Sequence, residues 1–310
     1  MKKIAVSIGD LNGIGIQLAL ENHAIIQKIV DPIYCIDEEM LHQTSTRLTL
    51  DIPKDFTTVE PFADRFTLQP GMIDAASGAY SYASFVHAVA LARAGHVDAV
   101  TTLPIHKKAW ELAGITYKGH TDALRDFFGA EAIMMLGCPK MYVALYTEHI
   151  PLRDVADAVN QADLTRFLID FYRTAKPEQT VAVLGLNPHA GDDGVLGDEE
   201  RIIEAAIQQA NRTITERCCA DTTPYVGPLV PDVAFTPNTR KNYTHYVAMY
   251  HDQGLVPLKA LHFDEGINVS LNLPILRTSV DHGTAFDIAY QGRKLNALSY
   301  INAVQYVLNA

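Results

Sequence analysis

Short apolar runs rich in Ile, Val, Leu and Tyr recur along the chain, separated by longer stretches whose apolar positions follow helical spacing. Runs apolar at nearly every position suit strands buried on both faces, and their alternation with helices marks an α/β fold with a largely parallel sheet. The pattern predicts strands at Ile4–Ile8, Ile33–Ile36, Ala99–Thr102, Ile133–Leu136, Tyr142–Tyr146, Val181–Leu184, Val233–Phe235, Tyr246–Met249 and Ile267–Leu271. It predicts helices at Ile14–Lys28, Ala79–Ala94, Lys107–Ala113, Leu164–Ala175, Glu199–Arg217, Thr284–Ala289 and Ala297–Leu308. Asp198-Glu199-Glu200 opens one of them, where acids complement the positive end of a helix dipole. Between about Glu38 and Gly71 the periodicity weakens and Thr, Pro and Asp accumulate, so loops or an elaborated sheet edge are expected. There is no internal repeat, and patterning alone locates no domain boundary.

A chain of 310 residues has room for one large core or two lobes. A net charge of −11 argues against nucleic acid or an anionic membrane as partner, since both favour a basic face. It leaves an anionic substrate open, because a local cluster of Lys, Arg and His overrides an average. The four cysteines, Cys35, Cys138, Cys218 and Cys219, form no CxxC motif, and the last two are adjacent. Adjacent cysteines pair poorly, so no disulfide framework is expected and a reducing compartment fits. The opening Met1-Lys2-Lys3 precedes an apolar run that is short and ends in Gly9-Asp10, which reads as a first buried strand and not a signal peptide. No stretch approaches the roughly 18 apolar residues that span a bilayer. A soluble, cytoplasmic protein is expected.

Polar and ionisable residues crowd into places where strands should be ending, and ligands of parallel α/β sheets bind outside those carboxyl ends. Gly9-Asp10-Leu11-Asn12-Gly13-Ile14-Gly15 is either an anion-receiving loop or only a tight strand-to-helix turn. Its spacing is neither the dinucleotide fingerprint nor a P-loop. Lys118-Gly119-His120-Thr121-Asp122 either holds a phosphate or carboxylate or caps a helix. Three segments each place a histidine just beyond an apolar run: Tyr146-Thr147-Glu148-His149, Leu186-Asn187-Pro188-His189 and Met249-Tyr250-His251-Asp252. Three imidazoles are a common catalytic metal set with positions left open for substrate. A single histidine is more often structural, but three on matching strand ends can be gathered by one sheet edge. Asp252 either orients a histidine, assists proton transfer, or is a turn residue. Finally, Lys259, Asn268 and Arg277 offer the fixed donors that carboxylate and phosphate recognition needs, and Asp281-His282-Gly283-Thr284-Ala285 could face a cofactor.

Five of these segments carry a resemblance. Gly119-His120-Thr121-Asp122, His149-Ile150-Pro151-Leu152-Arg153-Asp154, Asn187-Pro188-His189-Ala190-Gly191, Ala248-Met249-Tyr250-His251-Asp252-Gln253-Gly254-Leu255 and Arg277-Thr278-Ser279-Val280-Asp281-His282-Gly283-Thr284-Ala285 closely resemble motifs of the 4-hydroxythreonine-4-phosphate dehydrogenase family. They run in family order over nearly the whole chain. The resemblance implies a two-lobed α/β/α fold like that of isocitrate and isopropylmalate dehydrogenases, with a cleft between the lobes. One lobe would be built from both chain ends (about 1–120 and 255–310), and a central lobe (about 121–254) would carry dimer contacts. It implies a homodimer with shared active sites, NAD or NADP bound without the glycine fingerprint, and one divalent metal (Zn, Mg or Co).

Carried over by position, His149, His189 and His251 would bind the metal, and His120, Thr121, Lys259, Asn268 and Arg277 the substrate. His282, Gly283, Thr284, Ala285 and Asp287 would contact NAD by a looser transfer, and Asp252 and Lys259 are the candidates for moving the hydroxyl proton. The first loop departs from the family's common Thr-Pro-Gly-Asp-Pro-Ala-Gly, and Leu103-Pro104 stands where Gly-Pro is usual. The implied reaction is oxidation of 4-phosphooxy-L-threonine at C3 followed by decarboxylation to 3-amino-2-oxopropyl phosphate, in pyridoxal 5'-phosphate biosynthesis. A sister dehydrogenase acting on 4-phospho-threonate or 4-phospho-erythronate is the nearest alternative, and a phosphate acyltransferase the more distant one.

Overall fold

A computed structural model describes residues 1–218 and 223–310; Cys218 and Cys219 lie outside the residues whose side chains it describes. In chain order the described elements are β1 (Lys3–Ser7), α1 (Gly15–Ile26), β2 (Asp31–Cys35), α2 (Glu38–Leu48), β3 (Thr58–Val59), α3 (Ala75–Arg93), β4 (Ala99–Thr102), α4 (Lys107–Leu112) and α5 (His120–Phe128). They continue with β5 (Ile133–Cys138), β6 (Met141–Leu145), α6 (Val155–Ala158), α7 (Gln161–Ala175), β7 (Val181–Leu184), α8 (Glu199–Cys218), β8 (Tyr225–Leu229) and α9 (Pro231–Ala234). The chain closes with β9 (His245–Ala248), α10 (His251–His262), β10 (Ile267–Leu271), β11 (Leu276–Val280) and α11 (Leu298–Asn309).

The chain divides into two compact units, one of residues 1–132 with 267–310 and one of residues 133–266. Both boundaries fall later than the expected 120 and 254. Helix α5 stays with the first unit because Ala123 and Leu124 pack with Phe85, Val100 and Trp110. Helix α10 stays with the second because Leu255 and Leu258 pack with Val143, Leu145 and Ala248.

In the first unit the strand order is β3-β2-β1-β4-β11-β10. Its neighbours pair in parallel except β10 and β11, which are antiparallel. Successive side chains of a strand face opposite sides. Ile4, Val6 and Ile8 accordingly join one core with Leu18, Tyr34, Tyr80, Tyr300 and Val304, while Ala5 joins another with Phe85, Val89, Val100 and Trp110. In the second unit the order is β5-β6-β9-β7-β8, parallel except for the β5–β6 hairpin. Its core includes Met141, Val143 and Leu145, alternate residues of β6.

Three expectations need correction. Val233 lies in helix α9, not a strand, because Pro231 occupies the first helical turn, where its fixed φ favours a helix start. Thr284–Ala289 is a run of turns, since Ala285 and Tyr290 adopt left-handed φ angles of 45° and 59° that a right-handed helix excludes. Inside the supposed loop region, Glu38–Leu48 is helical. The Asp37 carboxylate caps it by accepting from the N–H groups of Glu39 and Met40, and only Met40, Leu41 and Thr44 are buried, which leaves a faint periodicity. Cys35 and Cys138 are free thiols.

Candidate active site

The first unit holds a buried polar cluster at the ends of β4, β10 and β11. Strand register assembles it. Arg277 lies opposite Ser270 in the antiparallel β10–β11 pair and opposite Val100 in the parallel β11–β4 pair. Thr102, two residues beyond Val100, therefore shares the face of Arg277. The guanidinium donates to Thr102 Oγ1 from both Nε (3.1 Å) and Nη2 (2.6 Å), and from Nη1 to Ser270 Oγ (3.3 Å). Nη2 also lies 3.0 Å from His120 Nδ1. Thr121 Oγ1, at the start of α5, stands 3.4 Å from Ser270 Oγ.

Arg277 is 3% exposed, and none of its partners among the described residues is a carboxylate. Burial pulls its pKa down to about 9. The same burial, with the neighbouring guanidinium, holds His120 well below the usual histidine range, so its ring is neutral at pH 7. A guanidinium only donates, so Nδ1 must accept and the ring proton sits on Nε2. That Nε2–H is buried without an acceptor, and so is the Oδ1 of Asn268 on β10 without a donor. A buried cation beside an unanswered N–H is the chemistry of a site built for an anion.

The second unit holds the histidines. His149 follows β6, and His251 opens α10 after β9. These strands pair, with Leu145 opposite Ala248, which carries the two residues past adjacent strand ends. Their ring centroids are 5.5 Å apart. Asp252 Oδ1 lies 2.7 Å from His251 Nδ1, so Asp252 holds that ring and leaves Nε2 as the nitrogen for a ligand bond. His189 sits beyond β7 on a 3-10 segment, Pro188–Gly194, in which residues 189 to 193 all have left-handed φ. The three imidazoles do not close into one group with all ligand atoms within 4.8 Å of one another.

His189 lines a cavity of about 330 Å³ with Asn187, Asp232, Tyr250 and Gln253. The loop under it is latched by Glu200, which accepts from the N–H groups of Leu186 (2.8 Å) and Asn187 (2.7 Å) and from Asn187 Nδ2 (2.9 Å). Lys259 lies on α10 with its ammonium 5.6 Å from the Phe263 ring. The donor set of two adjacent imidazoles, one held by a carboxylate, fits a divalent metal of the zinc class.

The turn after β11 packs against the first loop. Ile14 N–H donates to the Thr284 carbonyl (3.1 Å), and a Cβ on Gly13 would lie 2.8 Å from that oxygen. Gly9 has φ +73°, and a Cβ there would meet the Pro104 carbonyl at 2.3 Å. The glycines of the first loop therefore allow close backbone approach, as a tight turn requires. His282 Nε2 is buried without a partner, while Gly283 and Asp287 are exposed. Sequence reasoning singles out neither Thr102, Ser270 nor Glu200. The polar pair Thr101-Thr102 inside an otherwise apolar strand was the available signal for the first.

A family model described as pyridoxal phosphate biosynthetic protein PdxA matches residues 28–307. The chain belongs to the PdxA family. Its curated relatives include the 4-hydroxythreonine-4-phosphate dehydrogenase of Sulfurimonas denitrificans, 56% identical over 303 residues that cover 98% of this chain and 96% of that protein. The enzyme of the same name from Helicobacter pylori is 45% identical over 317 residues, covering 99% of each. Among solved structures, the 4-hydroxythreonine-4-phosphate dehydrogenases of Burkholderia phymatum (TM-score 0.79, 30% identity, 99% and 98% of the two chains) and Klebsiella pneumoniae (0.78, 31%, 99% and 100%) share the fold. A phosphotransacetylase from Staphylococcus aureus matches at TM-score 0.51 and 14% identity over 98% and 94% of the chains, a likeness of fold alone. This PdxA-family chain has, among its described residues, no helix long and apolar enough to cross a membrane.

Proposed function

We propose that the chain is a cytoplasmic, homodimeric, NAD-linked and divalent-metal-dependent dehydrogenase that oxidises 4-phosphooxy-L-threonine at C3. The observation that carries this reading is Arg277, a buried guanidinium with no carboxylate partner, beside a neutral His120 whose Nε2–H has no acceptor. Membership of the PdxA family adds the reaction class. In this reading Arg277, His120, Thr121 and Asn268 bind the anionic groups of the substrate, and Lys259 adds a charge that serves either binding or proton removal.

A divalent ion on His149, His189 and His251 would polarise the substrate hydroxyl, and NAD would accept the hydride. Asp252 keeps its hydrogen bond to His251 and so positions that ring. The hydroxyl proton must leave as the hydride does, and Asp252 and Lys259 are the candidates to relay it to solvent. The resulting β-keto acid then loses carbon dioxide, with the electron pair of the broken C–C bond passing onto the new carbonyl. His282, Gly283, Thr284, Ala285 and Asp287 form the cofactor-facing turn. Neutral His120 and cationic Arg277 together place one positive charge and one N–H donor at the anion, a combination lost as pH rises through about 9, where Arg277 gives up its proton.

The test is NADH formation from 4-phosphooxy-L-threonine, before and after chelation and re-addition of zinc, magnesium or cobalt. Metal-restored reduction supports the reading. Reduction with 4-phospho-threonate but not with the amino acid would move the assignment to the sister dehydrogenase. No reduction with any of these substrates and metals would end the dehydrogenase reading.

A further inference from the structure

Helix α10 begins at His251 and ends at His262, about 16 Å further along its axis at 1.5 Å per residue. At that far end Cys138, His262 and Glu265 converge, with one ligand atom from each all lying within 4.8 Å of one another. Among the described residues this is the one group of three metal-ligating side chains so closely gathered. Cys138 is fully buried, and His262 is 11% exposed. His262 Nδ1 is buried without a hydrogen-bond partner, and it lies 3.6 Å from Glu265 Oε1. Bonds of about 2.0–2.3 Å at tetrahedral angles put ligand atoms roughly 3.3–3.7 Å apart, which the 3.6 Å between His262 and Glu265 matches.

Burial raises the Cys138 thiol above its usual range, and the turn that follows it offsets part of that rise. The β5–β6 hairpin closes through Pro139 and Lys140, and hydrogen bonding from the backbone N–H groups of Lys140 and Met141 works against the effect of burial on the thiol. Two N–H donors on one sulfur stabilise its anion, as the donors that surround a metal-bound thiolate do. One thiolate, one carboxylate and one neutral imidazole carry two negative charges, which a divalent ion cancels. The competing occupant is Lys140, whose ammonium reaches both Glu265 oxygens at 2.8 and 2.9 Å. That lysine is 64% exposed, so the pair is held weakly, and a carboxylate has enough lone pairs to serve both cations.

We propose that Cys138, His262 and Glu265 form a second metal site, separate from the three strand-end histidines, that takes a thiophilic divalent ion of the zinc class with solvent as fourth ligand. Binding converts the Cys138 thiol to a thiolate and releases its proton to solvent, so affinity rises with pH. The ion ties the β5–β6 turn to the end of α10 and the residues just beyond it. It thereby anchors the helix whose first residue is His251.

Cobalt(II) titrated into the metal-stripped full-length protein tests this directly, because only a thiolate ligand produces a sulfur-to-cobalt charge-transfer band in the near ultraviolet. A band that saturates at one equivalent per chain, persists in His251→Ala and disappears in Cys138→Ser is the expected result. His262→Gln should weaken cobalt binding at that band by at least tenfold, and it decides the matter if Cys138→Ser does not fold. Absence of the band in the wild-type protein, its survival in Cys138→Ser, or unchanged affinity in His262→Gln would each overturn the proposal.

Discussion

The two units solve the problem of holding a charged ligand in opposite ways. In the first, Arg277 and His120 are buried and in direct hydrogen-bond contact, and strand register holds the guanidinium against Thr102 and Ser270 before any ligand arrives. In the second, His149 and His189 are exposed and His251 is half-buried, each on a loop or helix end beyond its strand. A preassembled anion site makes the protein bear the desolvation of a cation at all times, in return for recognition without reorganisation. An exposed imidazole set carries no such desolvation cost and leaves final convergence to the ion itself. The lesson is that charge buried without its partner marks binding more sharply than charge displayed on a surface.

That contrast can be broken or sharpened by experiment. The largest effect is expected from His251→Ala, which should lower kcat/KM by about 10³-fold or more with an unchanged Tm, since a lost metal ligand removes several kcal/mol of transition-state stabilisation. A variant that keeps a tenth of wild-type activity would remove His251 from the reaction.

Next comes Arg277→Met, for which kcat/KM should fall on the order of 10²- to 10³-fold while stability rises by about 1–3 kcal/mol in a denaturant melt. Added inorganic phosphate should raise the Tm of the wild-type protein and not of this variant. A destabilised Arg277→Met protein would mean that the guanidinium is a structural strut and that the first unit holds no strained charge.

Asp10 extends the comparison to an anion. It is fully buried in the first loop and accepts hydrogen bonds from Asn12 N–H and Ser77 Oγ, and burial pushes its pKa up to about 6. Because the folded form holds this proton more tightly than the unfolded chain, the group's contribution is greatest below about pH 4 and is lost as pH rises through 6. Asp10→Asn should therefore stabilise the protein by roughly 2–3 kcal/mol at pH 8 and by almost nothing at pH 4. Equal effects at both values would show that the carboxyl titrates normally. The smallest effect is expected from Asp252→Asn, which should weaken metal affinity 10- to 100-fold in competition with a chelator. Unchanged affinity would detach Asp252 from the role of holding His251.

Much of the fold was legible because apolar runs buried on both faces are hard to mistake. Ala99–Thr102, Val181–Leu184 and Ile267–Leu271 occupy the residues expected of them. The elements that escaped notice had weaker signals. Strand β8 contains Gly227 and Pro228, helix α2 buries few residues, and β11 is interrupted by Arg277, a charge that apolar patterning reads as a break. The same interruption is what makes β11 functional in our reading, so local rules failed where a ligand site is proposed. Of the candidate site, the histidines and Arg277 stood out by type and place. The neutral hydroxyls of Thr102 and Ser270 did not, because only register across three strands brings them to the guanidinium.

The loop that carries His189 has a consequence for anyone wishing to transplant this histidine set. Four of its left-handed residues, His189, Ala190, Asp192 and Asp193, are not glycine, and each such residue costs about 1–2 kcal/mol. The Glu200 carboxylate beneath offsets part of that cost through its three hydrogen bonds. Space is equally committed, since a Cβ on Gly191 would fall 2.7 Å from Glu200 Oε2 and one on Gly197 2.3 Å from Asn187 Nδ2. Such a loop is not a portable cassette. Moved to another scaffold without α8 and its Glu200, the sequence Pro188–Gly194 would relax to an ordinary turn and aim its imidazole elsewhere.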